Sequence, residues 1–193
     1  MSRITALPAL PEDQLPQHVK VAFAPFAEVC RSYQMQHVQY IRSPCIGNKT
    51  AFASLWLDPT GKTNCSIVWI DIRLGAFRRI KTLFACGSWL QSGAELHTAP
   101  IAPGDWIPEL VPPNREMLPL AEHTSAAETI DRHRQRIAGR SDVRTFDADS
   151  LLEETVRNSQ ELFDHFVARG FYAPLSEAEV KRLVSIDPAS SVA

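Results

Sequence analysis

Apolar residues near the start of the chain recur at steps of three and four, the spacing of one helix face. The stripe consists of Leu15, Val19, Phe23, Phe26, Cys30 and Tyr33. Asp13 is the candidate N-cap of this helix. Pro25 falls inside the pattern and removes one backbone hydrogen bond, so we expect the helix to kink or split there.

The apolar period then changes to two, which predicts strands. They are expected at about 36–43, 50–58, 64–73, 78–87 and 93–98. The connections are short and rich in turn residues, which favours antiparallel pairing in a meander. The third strand is apolar on both faces, a pattern typical of a central strand that is covered on both sides.

A proline-rich segment, residues 99–123, interrupts the strands. It holds six prolines, which preset φ and remove backbone donors. Trp106, Leu110 and their apolar neighbours are too hydrophobic for a free linker. We therefore expect an extended, irregular strap that packs across the sheet.

Capping boxes predict three C-terminal helices, because a Ser side chain and a Glu three residues later satisfy free amides at a helix start. They begin at Ser125, Ser150 and Ser176, and the first ends near Gly139. The predicted fold is a single α+β domain over 1–193. An N-terminal helix and a meander of about five antiparallel strands occupy 1–98, the strap 99–123 and the helical part 124–187, before a frayed tail at 188–193.

Composition places the chain among globular proteins, with 45% hydrophobic and 22% charged residues. No apolar run approaches the length of a membrane span, and Met1–Leu10 lacks the pattern of a secretory signal. A cytoplasmic setting follows as the expectation. The four cysteines form no close pair, so we expect free thiols and neither a metal site nor a cofactor.

Charge is distributed unevenly, although the net charge is only −2. Residues 1–100 hold ten Lys/Arg against six Asp/Glu, and residues 101–193 hold ten against sixteen. Arg78, Arg79 and Lys81 form a basic patch at one hairpin. Because the overall charge is slightly negative, the pattern does not favour a nucleic-acid partner. A solvated face or a protein contact explains the patch.

Two short motifs suggest chemistry that their surroundings do not support. Thr60-Gly61-Lys62-Thr63 resembles the end of a phosphate-binding loop, but the first Gly is missing and a strand follows, so a hairpin turn is predicted. Cys86-Gly87-Ser88-Trp89 resembles part of a thiol-protease signature, but Trp89 stands where the catalytic Cys belongs. A buried structural thiol is the better interpretation of Cys86.

Three functional hypotheses remain open. The first is a non-enzymatic interaction or accessory subunit of a bacterial complex, or a homo-oligomer. Its contact residues are Arg78, Arg79, Lys81, Trp106 and Leu110. The second is a domain that binds a small apolar ligand between the sheet and the first helix, in a pocket lined by Phe23, Phe26, Trp56 and Trp69; large aromatics also commonly just fill a core. The third is an enzyme that uses Cys86, His97 or His123.

Overall fold

A computed structural model describes residues 9–43, 49–74, 77–102 and 111–170. These residues form an α+β structure with one mostly antiparallel sheet and three α-helices. The α+β class and the antiparallel sheet agree with the sequence-based prediction. The elements are β1 (Ala9–Leu10), α1 (Gln17–Ser32), β2 (Gln36–Ser43), β3 (Lys49–Leu57), β4 (Asn64–Leu74), β5 (Phe77–Trp89), β6 (Glu95–Pro100), β7 (Arg115–Leu120), α2 (Ala126–Ile137) and α3 (Ala148–Ala168).

The sheet follows the chain, with strand order β1 to β7. All neighbours are antiparallel except β6 and β7, which run parallel. A parallel pair requires a crossover of about a dozen residues or more, and residues 101–114 provide it. The described sheet therefore has seven strands, and the predicted number of about five is wrong.

The two additional strands lie at the ends of the sheet. β1 has only two residues, too few to show an alternating pattern. β7 lies inside the proline-rich segment, so the expected irregular strap is wrong over Arg115–Leu120. Pro119 is compatible with this strand because β7 is an edge strand, where a missing backbone donor costs little.

One face of the sheet packs against helices. Alternate residues of β4, among them Cys65, Ile67 and Trp69, share a buried cluster with Val19 and Phe23 of α1. α2 lies over β5 and β6 on the same side. We call this the helix-covered face, and it contains the main hydrophobic core of the unit.

The side chains of the remaining alternate residues lie on the opposite face of the sheet. In β4 this half consists of Ser66, Val68, Ile70 and Ile72, all half-buried. At one end of this face, a second small cluster joins Leu57 and Trp89 of the sheet to residues 146 and 151. The rest of this face forms the floor of a cleft.

The β3–β4 connection is a hairpin turn, as predicted for the Thr60–Thr63 motif. The Asp58 carboxylate accepts hydrogen bonds from the backbone amides of Lys62 and Thr63, each at 2.9 Å. Gly61 has a φ of +69°, and a Cβ atom there would lie 2.3 Å from the carbonyl oxygen of Phe146. The turn therefore requires glycine at this position for both conformation and space.

Helix boundaries match the local capping chemistry only in part. Ser125 caps α2 as predicted, accepting a hydrogen bond from the amide of Glu128. The predicted cap at Ser150 is wrong: α3 begins one turn earlier, where Asp147 and Ser150 exchange backbone-to-side-chain hydrogen bonds. Asp13 is likewise not an N-cap, because α1 begins after Pro16.

α1 continues through Pro25 without a break. The predicted helix at Ser176 lies outside the described residues. The chain divides into two compact units, one spanning Leu7–Leu152 and the other including residues 153–170. In the latter the structure describes the remainder of α3, with Arg157 bridging Glu154 and Glu161. Over the described ranges, no helix is long and apolar enough to cross a membrane. The single-domain organisation stays a prediction.

Candidate ligand cleft

The site is created where β5 extends beyond β6. β5 pairs with β4 from Phe77 to Gly87, but its described pairing with β6 is confined to Cys86–Trp89. Along its first part, β5 therefore borders a cleft of about 830 Å³ and not β6. A cleft of this size falls within the range of small-molecule sites.

The floor of the cleft is a ladder of cross-strand pairs on the opposite face of the sheet. Side chains of one face alternate along each strand, so the register assigns them in pairs. The pairs in order are Ser66 with Ala85, Val68 with Leu83, Ile70 with Lys81, and Ile72 with Arg79. The floor is thus apolar over most of its length, with two cations towards one end.

The walls come from elements on either side of this ladder. Ile101 and Ala102 follow β6, and His123 belongs to the turn before α2. Phe26 of α1 contributes from the helix-covered side, where its ring stacks on Phe84 with centroids 5.7 Å apart. Both aromatic and aliphatic carbon therefore face the cleft, the composition expected for a site that binds apolar groups.

A buried polar network fixes β5, β6 and α2 together beside the cleft. Ser88 Oγ donates to the carbonyl oxygen of Lys62 at 2.7 Å and therefore accepts from His133 Nε2 at 2.8 Å. His133 Nδ1 in turn accepts from Thr98 Oγ1 at 3.0 Å. Burial lowers the pKa of His133 to about 3, so the ring is neutral. The serine hydroxyl is used for structure, and the pair is not arranged as a nucleophile with its base.

A buried carboxylate connects the last three strands. Glu95 accepts hydrogen bonds from Trp89 Nε1 and His97 Nε2 at 3.0 Å and from the Arg115 guanidinium. The shortest contact is 2.7 Å, to Arg115. Burial raises the pKa of Glu95, but the bond from His97 and the charge of Arg115 outweigh it, so the pKa is lowered. Glu95 thus holds β5, β6 and β7 in register.

Three thiols meet in the main core, and we call them the thiol triad: Cys30, Cys65 and Cys86. All are fully buried and free. The Sγ atoms of Cys65 and Cys86 are 3.3 Å apart. A hydrogen bond to Cys65 and burial raise the pKa of the Cys30 thiol, and burial raises that of Cys65. Protonated thiols without solvent access are poor nucleophiles.

The predicted catalytic candidates do not converge. Cys86 points into the helix-covered core, whereas the register places the His97 side chain on the other side of the sheet. Burial lowers the pKa of His97 although Glu95 opposes the effect. His123 is exposed on the cleft wall. Cys86 therefore faces away from His97, and the described Cys86, His97 and His123 form no common site.

The predicted pocket residues are divided between the core and the cleft. Phe23, Trp56 and Trp69 are buried in the main core, and Phe26 is half-buried and lines the cleft. The aliphatic floor was not singled out from the sequence. The signal for it in the sequence is the second apolar face of β4, a pattern that also predicts a covering layer.

The predicted contact residues are also divided. Arg78 is 54% exposed at its side chain and forms a two-bond ion pair with Asp71, both bonds at 3.0 Å. Arg79 and Lys81 line the cleft. Trp106 and Leu110 lie outside the described residues.

The fold and cleft define an α+β module with an open, largely apolar site. Comparisons with protein-family models, curated proteins and solved structures find no match to this chain. Within the described part of the chain, no group of three or more His, Cys, Asp and Glu side chains is placed to hold a metal ion.

Proposed function

We propose that the protein binds a small apolar ligand in the cleft beside β5. The observation that supports this most directly is a cleft of about 830 Å³ whose floor and walls are mainly apolar. Leu83, on the floor, is 41% exposed, so apolar surface is open to solvent at the place where a ligand would cover it. Covering such surface gains roughly 25 cal/mol per Å².

Titration with N-phenyl-1-naphthylamine, a neutral apolar dye whose fluorescence rises in apolar surroundings, tests this proposal. We expect saturable binding with one site per chain. Leu83→Asp places a charge on the floor at an exposed position and should weaken dye binding at least tenfold. Val21→Asp on α1 is the matched control, because Val21 is exposed and lies outside the cleft.

Two results would contradict the proposal: dye binding that does not saturate, or equal weakening by both variants. A second variant, Ala85→Trp, fills the floor without adding charge and should give the same loss as Leu83→Asp. Thermal unfolding of each variant identifies any loss of binding that follows from misfolding.

An interaction with a protein partner or a second copy is the second candidate function. It is supported by Ile80, which is 49% exposed beside the Arg78–Asp71 ion pair. Sedimentation velocity of the protein and of Ile80→Glu tests self-association. Replacing Arg78 by Glu is a poorer probe, because it would oppose the buried Asp71 with a like charge. A sedimentation coefficient that matches the monomer in both proteins would remove the second-copy version.

We propose a cytoplasmic setting for either function, and the accessory subunit of a bacterial complex remains a form of the second candidate. Three buried free thiols support a reducing compartment. The net charge of −2 supports a partner other than nucleic acid. The enzyme hypothesis has the least support, since Cys86 and His97 project from opposite sides of the sheet.

A further inference from the structure

Two members of the thiol triad lie directly opposite each other on neighbouring strands. Cys65 of β4 is paired with Cys86 of β5, and their Sγ atoms are 3.3 Å apart. Both side chains are fully buried in the main core, and both thiols are free. The sheet therefore holds two thiols in contact at a place that is closed to solvent.

The position of this pair in the ladder suits a cross-strand disulfide. The backbone amide of Leu90 donates to the carbonyl oxygen of Ala94, and the β5–β6 register continues from there without a shift. Backbone groups alternate in direction along a strand, so those of Cys86 point to β6 and not to β4. Cys65 and Cys86 are thus a non-hydrogen-bonded pair, in which the Cα atoms lie about 4.5 Å apart. Disulfides span Cα separations of about 4.4–6.8 Å, so the sulfur atoms can close to the bond length of about 2.05 Å without a change of register.

The third thiol of the triad is a competing partner. Cys30 lies on α1 and forms a hydrogen bond with Cys65, so Cys65 contacts both other thiols. Cys30 and Cys65 belong to a helix and a strand that only pack together, whereas Cys65 and Cys86 belong to one continuous ladder. The ladder fixes the backbone on both sides of the second pair, and Cys86 is therefore the better-placed partner of Cys65.

We propose that Cys65 and Cys86 are a modification site, at which hydrogen peroxide produces a reversible disulfide. In the first step one sulfur, as thiolate, attacks a peroxide oxygen. The S–O bond forms, the O–O bond breaks, and the released hydroxide takes up the thiol proton as water, which leaves a sulfenic acid. The second sulfur then attacks the sulfenic sulfur, so the S–S bond forms, the S–O bond breaks and a second water leaves with the remaining thiol proton. Two electrons pass from the two sulfurs to the peroxide.

Burial determines both the rate and the product of this reaction. The rate is low, because the thiols are shielded from solvent and the thiolate is the reactive form. Hydrogen peroxide is small and uncharged, so it needs only a local opening of the sheet. Once a sulfenic acid forms, the neighbouring thiol at 3.3 Å captures it before further oxidation. In a reducing compartment the pair rests as two thiols, and sustained exposure to peroxide converts it to the cross-link.

Peroxide treatment of the folded Cys45→Ser variant tests the proposal, because the thiol triad then supplies every thiol of the chain. After catalase removes the peroxide, the chain is unfolded, the remaining thiols are blocked with N-ethylmaleimide, and unreduced peptides are identified by mass spectrometry. We expect the loss of two thiols per chain, a peptide pair joined through Cys65 and Cys86, and the maleimide on Cys30. Dithiothreitol added to the unfolded chain should restore all three thiols.

Two alanine variants in the same background separate the partners of Cys65. Cys30→Ala keeps the cross-strand pair and should form the disulfide at a rate within twofold of the parent. Cys86→Ala leaves Cys30 as the partner, and a Cys30–Cys65 disulfide should form at least tenfold more slowly than the Cys65–Cys86 disulfide of the parent. Thermal unfolding of each reduced variant shows whether it folds. The oxidised parent should unfold at a higher urea concentration than the reduced parent, because the cross-link restricts the unfolded chain.

Three results would overturn the proposal. The first is a Cys30–Cys65 disulfide as the main product in the parent. The second is oxidation of Cys65 or Cys86 to sulfinic acid without a disulfide, since the neighbouring thiol would then fail to capture the intermediate. The third is retention of all three thiols in the folded protein under conditions that oxidise the urea-unfolded chain, since the pair would then be closed to peroxide. The peptide map of the parent alone decides among these outcomes, even where an alanine variant fails to fold.

Discussion

Acidification should destabilise the protein through His133, a fully buried side chain. Burial lowers its pKa from 6.5 to about 3. Between these two values the unfolded chain binds a proton that the folded chain does not, so the free energy of unfolding falls as pH falls. The contribution is present above pH 6.5 and is lost progressively towards pH 3.

The magnitude follows from the same two pKa values. One pKa unit corresponds to about 1.4 kcal/mol. Between pH 7 and pH 5, His133 alone should therefore cost about 2 kcal/mol of stability. Replacement by Gln loses hydrogen bonds to Ser88 and Thr98 but removes the titration. His133→Gln should thus be clearly less stable at pH 7, and its deficit should shrink by about 2 kcal/mol at pH 5.

Urea unfolding followed by tryptophan fluorescence measures both proteins at each pH. The comparison of variant with unmodified protein cancels the contributions of other titrating groups, among them His97 and Glu95. A deficit that stays the same within about 0.5 kcal/mol from pH 7 to pH 5 would refute the reasoning, because a ring that stays neutral only when folded must produce the difference.

Three further predictions concern the turn, the carboxylate and the thiols. Gly61→Ala should lower the free energy of unfolding in urea by at least 2 kcal/mol. Gly93→Ala is the control, because Gly93 also has a positive φ but has open space around it, and it should cost about 1 kcal/mol. Equal costs for the two variants would contradict the steric argument. Glu95→Gln should cost roughly 3 kcal/mol, because it removes the buried negative charge that pairs with Arg115. A loss below 1 kcal/mol in the same assay would show that the pair is dispensable. In the Cys45→Ser variant, the thiol triad should react with a thiol reagent at pH 8 only as fast as the protein unfolds. Fast reaction of one of these thiols in the folded protein would support the enzyme hypothesis.

Local signals made the central elements predictable. Ser125 and Gly139 mark the ends of α2 through capping chemistry that acts within a few residues. The alternation in β4 and β5 identifies these strands because side chains of a strand project to opposite faces. The bounds of β2, β3 and β4 agree with the sequence-based ranges within one residue.

The elements that escaped prediction depend on pairing between distant residues. β7 forms because Arg115–Leu120 returns alongside β6. Pro119 and the prolines that precede this strand conceal its tendency to form a strand. The cleft exists because β6 pairs with only the last part of β5. The sequence shows the apolar face of β4, but it does not show where a neighbouring strand turns away.

The strand order has a consequence for how the chain folds. From β1 to β6, each strand pairs with a neighbour in sequence, and the β4–β5 hairpin has the longest ladder of them all. Such local contacts form with little loss of loop entropy, so the meander is placed to assemble early. The β6–β7 pair must close the crossover at residues 101–114 before it gains any contact. Since residues on both sides of that crossover line the cleft, we expect the cleft to be the last part of the sheet to be completed during folding.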